Sequence, residues 1–339
     1  MKMYSATAAL AAATLWSLPV LAQNSQVTLF GTVDVGAAHL RNAGGSTTGM
    51  SHSGANVSRI GVRGEENLGS GYSAGFWFES GMNPKTGGAG GPTGAFFNRR
   101  ATVSIHTPYG EVRLGRDDAA TFLNTLVFDP FMTNGVAGTN TFLMNGAPIQ
   151  INSALSYFLP KDLGGVYGQA QYAWGPASTP GSKTYKGARI GYASSAFNVA
   201  MALGQLGFED RNKLKIANLG ASYDFGAVNP SIIWAQEKRS GGAAVRGLQL
   251  GASATLGAHW LRASVGDYRA SGTDHIRWRK FGLGYGYNLS KRTLLYTSYS
   301  FLQNRKGAAR AVSSQGLTAP TNAANHNASG VEIGLRHFF

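Results

Sequence analysis

The sequence predicts an all-β fold: a transmembrane, antiparallel up-and-down β-barrel of roughly 16 strands. Three observations predict it. Apolar and polar residues alternate with period two from shortly after the N-terminus to the last residue. The connectors alternate between short turns and long polar loops. Finally, 47 glycines among 339 residues accompany a charged fraction of only 14%, against roughly 25% in an average soluble protein.

Composition excludes several classes. With no Cys, a disulfide scaffold, a thiolate nucleophile and a Cys-ligated zinc or iron–sulfur site are ruled out. Aromatic residues at 11% are too plentiful for a disordered chain. The formal charge of +14 asks for an anionic counterpart.

Residues 1–22 read as an export signal. Met1-Lys2-Met3 is the basic start, Ala6 to Leu18 the apolar run, and Pro19-Val20-Leu21-Ala22 places small residues before a cut at Gln23. The run is short for a membrane anchor, and no flanking charge follows it. Beyond it no apolar stretch approaches the ~20 residues of a spanning helix. Residues 23–339 are therefore one barrel domain, expected in the cell outer membrane.

The strands follow in order. Val27–Val35 alternates apolar odd positions with Thr28, Thr32 and Asp34. Arg59–Arg63 puts arginines on one face, Tyr72–Ser80 sets Phe76 and Phe78 opposite Trp77 and Glu79, and Arg100–His106 sets Ala101, Val103 and Ile105 opposite polar neighbours. Like segments recur at Val166–Trp174, Tyr185–Tyr192, Ala217–Phe225, Val228–Trp234, Gly247–Leu256, Trp260–Tyr268, Lys280–Leu289, Thr293–Phe301 and Val331–Phe339. Short turns lie at Asn67–Gly71, Pro108–Gly110, Asp162–Gly165, Ala193–Ala196, Gly226-Ala227 and Asn288–Lys291. Long polar connectors are expected at Arg41–Ala55, Asn83–Ala95, Asp117–Pro148, Gly175–Thr184, Lys238–Ala244 and Asn304–Asn327. No useful helical period is visible. Glycine then belongs to a crowded, curved wall. Sparse charge belongs to a lipid-facing half, where a charge at the bilayer midplane would cost about 2–4 kcal/mol.

Parity assigns the lumen face to Arg59, Arg63, Arg100, Arg113, Arg189, Arg262, Lys280 and Arg336, with the acids Asp34, Glu65, Glu79, Glu111 and Glu332. Bases outnumber acids. Arginines around a narrow water channel concentrate anions, and a guanidinium can grip carboxylate or phosphate bidentately. Alternatively, individual arginines only pair with neighbouring acids.

Several segments resemble the general porins of Gram-negative β-proteobacteria: Val27–Asp34, Ser58–Gly69, Phe97–Val103, Tyr109–Arg116, Leu289–Thr293 with Leu295-Tyr296, and the ending Gly334-Leu335-Arg336-His337-Phe338-Phe339. The resemblance implies a homotrimer of 16-stranded barrels whose long third loop, here about Asp117–Pro148, folds into the lumen. It singles out Arg59 and Arg99 as constriction residues. Arg99 has the wrong parity for a regular strand, so it reaches the lumen only through a bulge or ahead of the strand. The family's usual arginine after this loop has no counterpart in Ile149–Ser153. Asp117, Asp118 and Asp129 could face the arginines across the opening, or could be solvated charges or loop-to-wall anchors. The aromatic C-terminus Phe339 resembles the signal read by the outer-membrane insertion machinery.

The expected function is passive diffusion of small hydrophilic solutes, anionic or neutral, with anion preference. Outer-membrane lipid and lipopolysaccharide are its surroundings. A channel specific for small organic anions or phosphate-like solutes is a variant; an outer-membrane barrel enzyme or adhesin is the alternative of another class. No cofactor, metal site or catalytic group is expected. Gly181-Ser182-Lys183-Thr184 lacks the spacing and context of a phosphate loop. The glycines at 282, 284 and 286 lie inside an alternating strand, and the seven His are scattered. Export makes a nucleic-acid partner improbable despite the basic charge.

Overall fold

A computed structural model describes residues 26–90, 95–139, 146–176, 178, 181, 183–210, 212–271 and 276–339; the expected export signal lies outside them. The strands are β1 (Gln26–Asn42), β2 (Gly45–His52), β3 (Arg59–Gly69), β4 (Tyr72–Asn83), β5 (Gly88–Ala89), β6 (Arg100–Thr107), β7 (Gly110–Asp118), β8 (Gln150–Phe158) and β9 (Val166–Ala173). They continue as β10 (Tyr185–Ala193), β11 (Phe197–Gly207), β12 (Lys213–Tyr223), β13 (Val228–Arg239), β14 (Ala244–Leu256), β15 (His259–Ser271), β16 (Arg277–Asn288), β17 (Thr293–Arg305) and β18 (Ala328–Phe338).

Every wall strand pairs antiparallel with its sequence neighbour, and β1 pairs with β18 from Thr32↔Phe338 to Arg41↔Ser329, closing the sheet. Closure leaves no unpaired edge in the bilayer. The lower half of β1 pairs with β3 and its upper half with β2, so β2 and β3 are two pieces of one wall strand, separated by residues 53–58. With β5 a two-residue appendage of β4, sixteen wall strands result among the described residues.

Two expectations about connectors are corrected here. Arg41–Ala55 is not a long loop: the chain turns tightly at Ala43-Gly44, where Gly44 N donates to Asn42 Oδ1 (2.8 Å), and returns as β2. Its Gly/Ser/Thr-rich alternation carries too little hydrophobic contrast to read as a strand. The second correction is a helix, α1 (Ala120–Phe128), inside the third loop. Nine residues without a capping side chain at Ala119 would not hold a helix in water; it exists because the wall holds it.

The parity of the faces is as expected. On β18, Val331, Ile333 and Leu335 are exposed on the outside while Glu332 is fully buried within. The apolar core lies inside the barrel, where Leu40, Phe128, Val136, Ile233, Trp278, Leu302 and Val312 pack together. The third loop makes this core by lying against the inner wall. Asn124 Nδ2 donates to Ala200 O on β11 (2.8 Å), and Asn218 Nδ2 of β12 donates to Thr121 O (2.9 Å). Further on, Gln249 Nε2 of β14 reaches Asp129 (3.0 Å), Lys280 Nζ of β16 reaches Gly138 O (2.6 Å), and Val136 N reaches Glu332 of β18 (3.3 Å). Gly220 lies directly beneath the Phe128 ring, where any side chain would collide with it. The loop is thus a belt that narrows the lumen.

Candidate functional site

The constriction starts from one carboxylate. Glu79 on β4 faces Gly61 across the ladder, diagonal to Arg59 at the start of β3. Arg59 Nε lies 3.7 Å from Glu79 Oε1. Arg99 Nε binds the same oxygen, and its backbone N donates to Glu79 O (3.2 Å). Trp77 Nε1 donates to Oε2 (3.1 Å). Two guanidiniums therefore share one carboxylate, leaving net positive charge. Arg99 reaches this point because β6 begins only at Arg100.

A third cation, Arg116, lines the same 740 Å³ cavity as Arg99, together with Ser58, Asn134, Gln150 and Ser314. Its Nε donates to Asn98 O (2.7 Å), and Nη1 binds Asn152 Oδ1. Sequence parity misses it because the strand does not stay regular: Gly115 sits at φ 124° and the β7–β8 register shifts between Gly115 and Asp117. The available signal in the sequence was the Gly115-Arg116 step itself, since a glycine inside a strand can mark a bulge that re-aims its neighbour. The last long loop also enters this cavity, through Ser313 to Gly316, which alternation could not reveal.

Away from the constriction, arginines stack on rings. Arg63 lies 4.9 Å from the Trp77 ring centroid and 5.6 Å from that of Phe30; Arg100 also covers Trp77, at 4.4 Å. Arg113 lies over Phe158, Arg262 over Trp260 and Arg336 over Phe338. Stacking holds a guanidinium in place without neutralising it. The Nε atoms of Arg262 and Arg336 find no protein acceptor among the described residues.

Other expected pore residues serve the fold instead. Lys280 is buried beneath the loop on Gly138 O. Arg189 holds α1 through Asn124 Oδ1 (2.7 Å). Asp34 is fully buried, accepting from Tyr296 Oη (2.6 Å) and from the N–H groups of Ala55 and Asn56; it fixes the excursion between β2 and β3 and does not face the channel. Glu332 is sealed by Ser51 and Ser314 hydroxyls. Asp34 and Lys280 therefore do not line open pore, Asp34 because residues 55–56 and Tyr296 enclose it and Lys280 because the third loop covers it, while the half-buried Arg189 is tied to that loop's helix.

The three loop acids also separate. Asp129 accepts from Phe131 N, Thr133 N, Thr139 N and Oγ1, and Gln249 Nε2, so it is an anchor. Asp117 binds Arg113 and lies 3.6 Å from Arg100. Asp118 accepts from Gln150 Nε2 (2.8 Å). Both stand at the end of β7, on the arginine side of the lumen. Glu111 pairs with Arg113, and Glu65 is exposed, taking the Ser73 hydroxyl. At the far end of the barrel Phe339 is backbone-paired with Gly31, and its ring covers that glycine.

With this geometry established, the chain can be set beside known proteins. The profile of a family described as "Gram-negative porin" matches residues 6–307. Outer membrane porin protein 32 of Delftia acidovorans is 34% identical, over 93% of this chain and 94% of its own length. The major outer membrane protein P.IB of Neisseria meningitidis is 26% identical, over 97% of this chain and 99% of its own. Among solved structures, the anion-selective porin from Comamonas acidovorans superposes with a TM-score of 0.84 at 33% identity, covering 93% of this chain and all of that one. OmpT of Vibrio cholerae shares the fold at 14% identity (TM-score 0.68; 93% and 98% covered).

Proposed function

The chain belongs to the Gram-negative porin family, and from that premise we propose that it forms a passive, water-filled, anion-preferring diffusion channel across the outer membrane. It passes small hydrophilic solutes, anionic ones foremost. A cleaved signal over residues 1–22 exports it, the insertion machinery recognises the end at Phe339, and three copies assemble in the membrane.

One observation carries the anion preference. The lumen-side carboxylates are engaged, by backbone N–H and hydroxyl groups at Asp34, Asp129 and Glu332, or by guanidiniums at Glu79 and Asp117. The guanidiniums are in excess: Arg59 and Arg99 share one acid, and Arg262 and Arg336 rest on rings. An aqueous passage lined by surplus fixed cations raises local anion concentration and lowers that of cations. The Comamonas protein, whose name states anion selectivity, is a structural relative at 33% identity, which supports the same reading here.

Reversal potentials across a planar bilayer in a KCl gradient test it. The wild-type channel gives the sign of chloride preference, and Arg59→Glu weakens it. A wild-type potential of the cation-selective sign overturns the charge argument. Flux that saturates and is competed by one solute would replace the general channel with a substrate-specific one. An oligomer on a gel that collapses to monomer after boiling supports the trimer.

A further inference from the structure

A second concentration of positive charge lies outside the lumen. On the outer face of the loop end, Arg246, Arg269, Arg277 and Arg305 stand directly opposite one another across β14, β15, β16 and β17, and Gln236 of β13 continues the row. Lys215 stands opposite Lys238 across β12 and β13. Lys186 extends the line by one strand beyond Gln205. These residues share their parity with the exposed, lipid-facing Ile190, Leu219, Leu248, Phe281 and Leu283. They therefore point outward, immediately above the apolar belt, at the end of the barrel opposite the short turns and Phe339.

Like charges directly opposite on neighbouring strands destabilise a sheet. Among the described residues the acid brought against this row is Asp267, which contacts Arg269, Arg277 and Arg279. One carboxylate leaves the row far from neutral. Two concavities follow it on the outer surface. One, of 670 Å³, has Trp234 and Leu248 at its base and Arg246, Arg269 and Arg277 around it. The other, of 610 Å³, has Leu203 and Ala217 with Lys186 and Lys215. An apolar base beside a cationic rim matches an amphiphile with acyl chains and an anionic head.

We propose that this row binds the phosphates of phosphorylated outer-leaflet lipid, of the lipid A type, with the acyl chains seated against the concavities. That the row stands at the outer leaflet rests on the porin reading. Guanidiniums grip phosphate bidentately, and each basic side chain near a membrane surface strengthens anionic-lipid binding about fivefold.

The test titrates the detergent-solubilised, natively assembled protein with bisphosphorylated lipid A or with the same lipid enzymatically dephosphorylated, counting bound lipid by native mass spectrometry. The phosphorylated form is expected to bind at least tenfold more tightly, a preference competed by salt. The combined variant R246Q/R269Q/R277Q is expected to lose it, and the charge-keeping variant R246K/R269K/R277K to retain most of it. Equal binding of both lipids by the wild-type protein overturns the proposal without any variant. Equal competition by inorganic phosphate at the concentration of the lipid overturns the lipid assignment. Reversal potentials of the glutamine variant should stay as in wild type, because the row lies outside the lumen; the lipid result and the channel result therefore fail independently.

Discussion

Glu79→Gln isolates the charge at the constriction. The carboxylate lies against Arg99 and 3.7 Å from Arg59, with Trp77 Nε1 on its other oxygen; an amide in its place fills the same volume and keeps one acceptor oxygen for one of those donors. The substitution therefore removes one negative charge with little change of shape. For an ion passing about 7 Å away in water, one unit charge is worth about 0.6 kcal/mol. At 0.1 M salt, with a Debye length of about 10 Å, roughly half of that survives. The change favours chloride and disfavours potassium by equal amounts, so their permeability ratio should shift by about 0.6 kcal/mol, or about threefold, toward the anion. The assay is the zero-current potential in a tenfold KCl gradient, repeated at 1 M salt, where screening over about 3 Å should nearly abolish the difference. A shift toward cations, or none at low salt with conductance unchanged, would show that Glu79 lies off the ion path and would refute the reasoning.

Arg59→Glu exchanges two charges at the same place, so it should move the ratio the other way by about the square of that factor, read by the same potentials. Asp129→Asn weakens the loop's own hub, whose carboxylate accepts from Thr133, Thr139 and Gln249. Hydrogen bonds to a charged group are each worth about 1.5–3 kcal/mol, so the loop should loosen and single-channel conductance should become larger or noisier. A quiet, wild-type trace would count against the anchor. Deleting Phe339 removes the ring over Gly31 and the pairing that extends the β1–β18 seam; the yield of heat-modifiable, folded barrel should fall, with unaltered yield arguing against a role in assembly.

The sequence by itself determined the wall. Period-two alternation, such as Val331, Ile333 and Leu335 outside against Glu332 inside, survives in one dimension because adjacent residues on a strand face opposite solvents. It likewise placed Arg59 and Arg63 toward the lumen, and its own logic recognised that Arg99 had to precede the strand. Three things were decided only by the tertiary structure. The helix α1 depends on distant partners on β11 and β12. Arg116 becomes a cavity residue only through a register shift at Gly115. The fate of Lys280 and Glu332 depends on where the third loop runs, and that of Asp34 on the excursion between β2 and β3. Parity states which way a side chain points. Whether it then meets water or a loop from a distant part of the chain is a long-range fact, and in this barrel it separates the residues that hold the fold from those left to attract the solute.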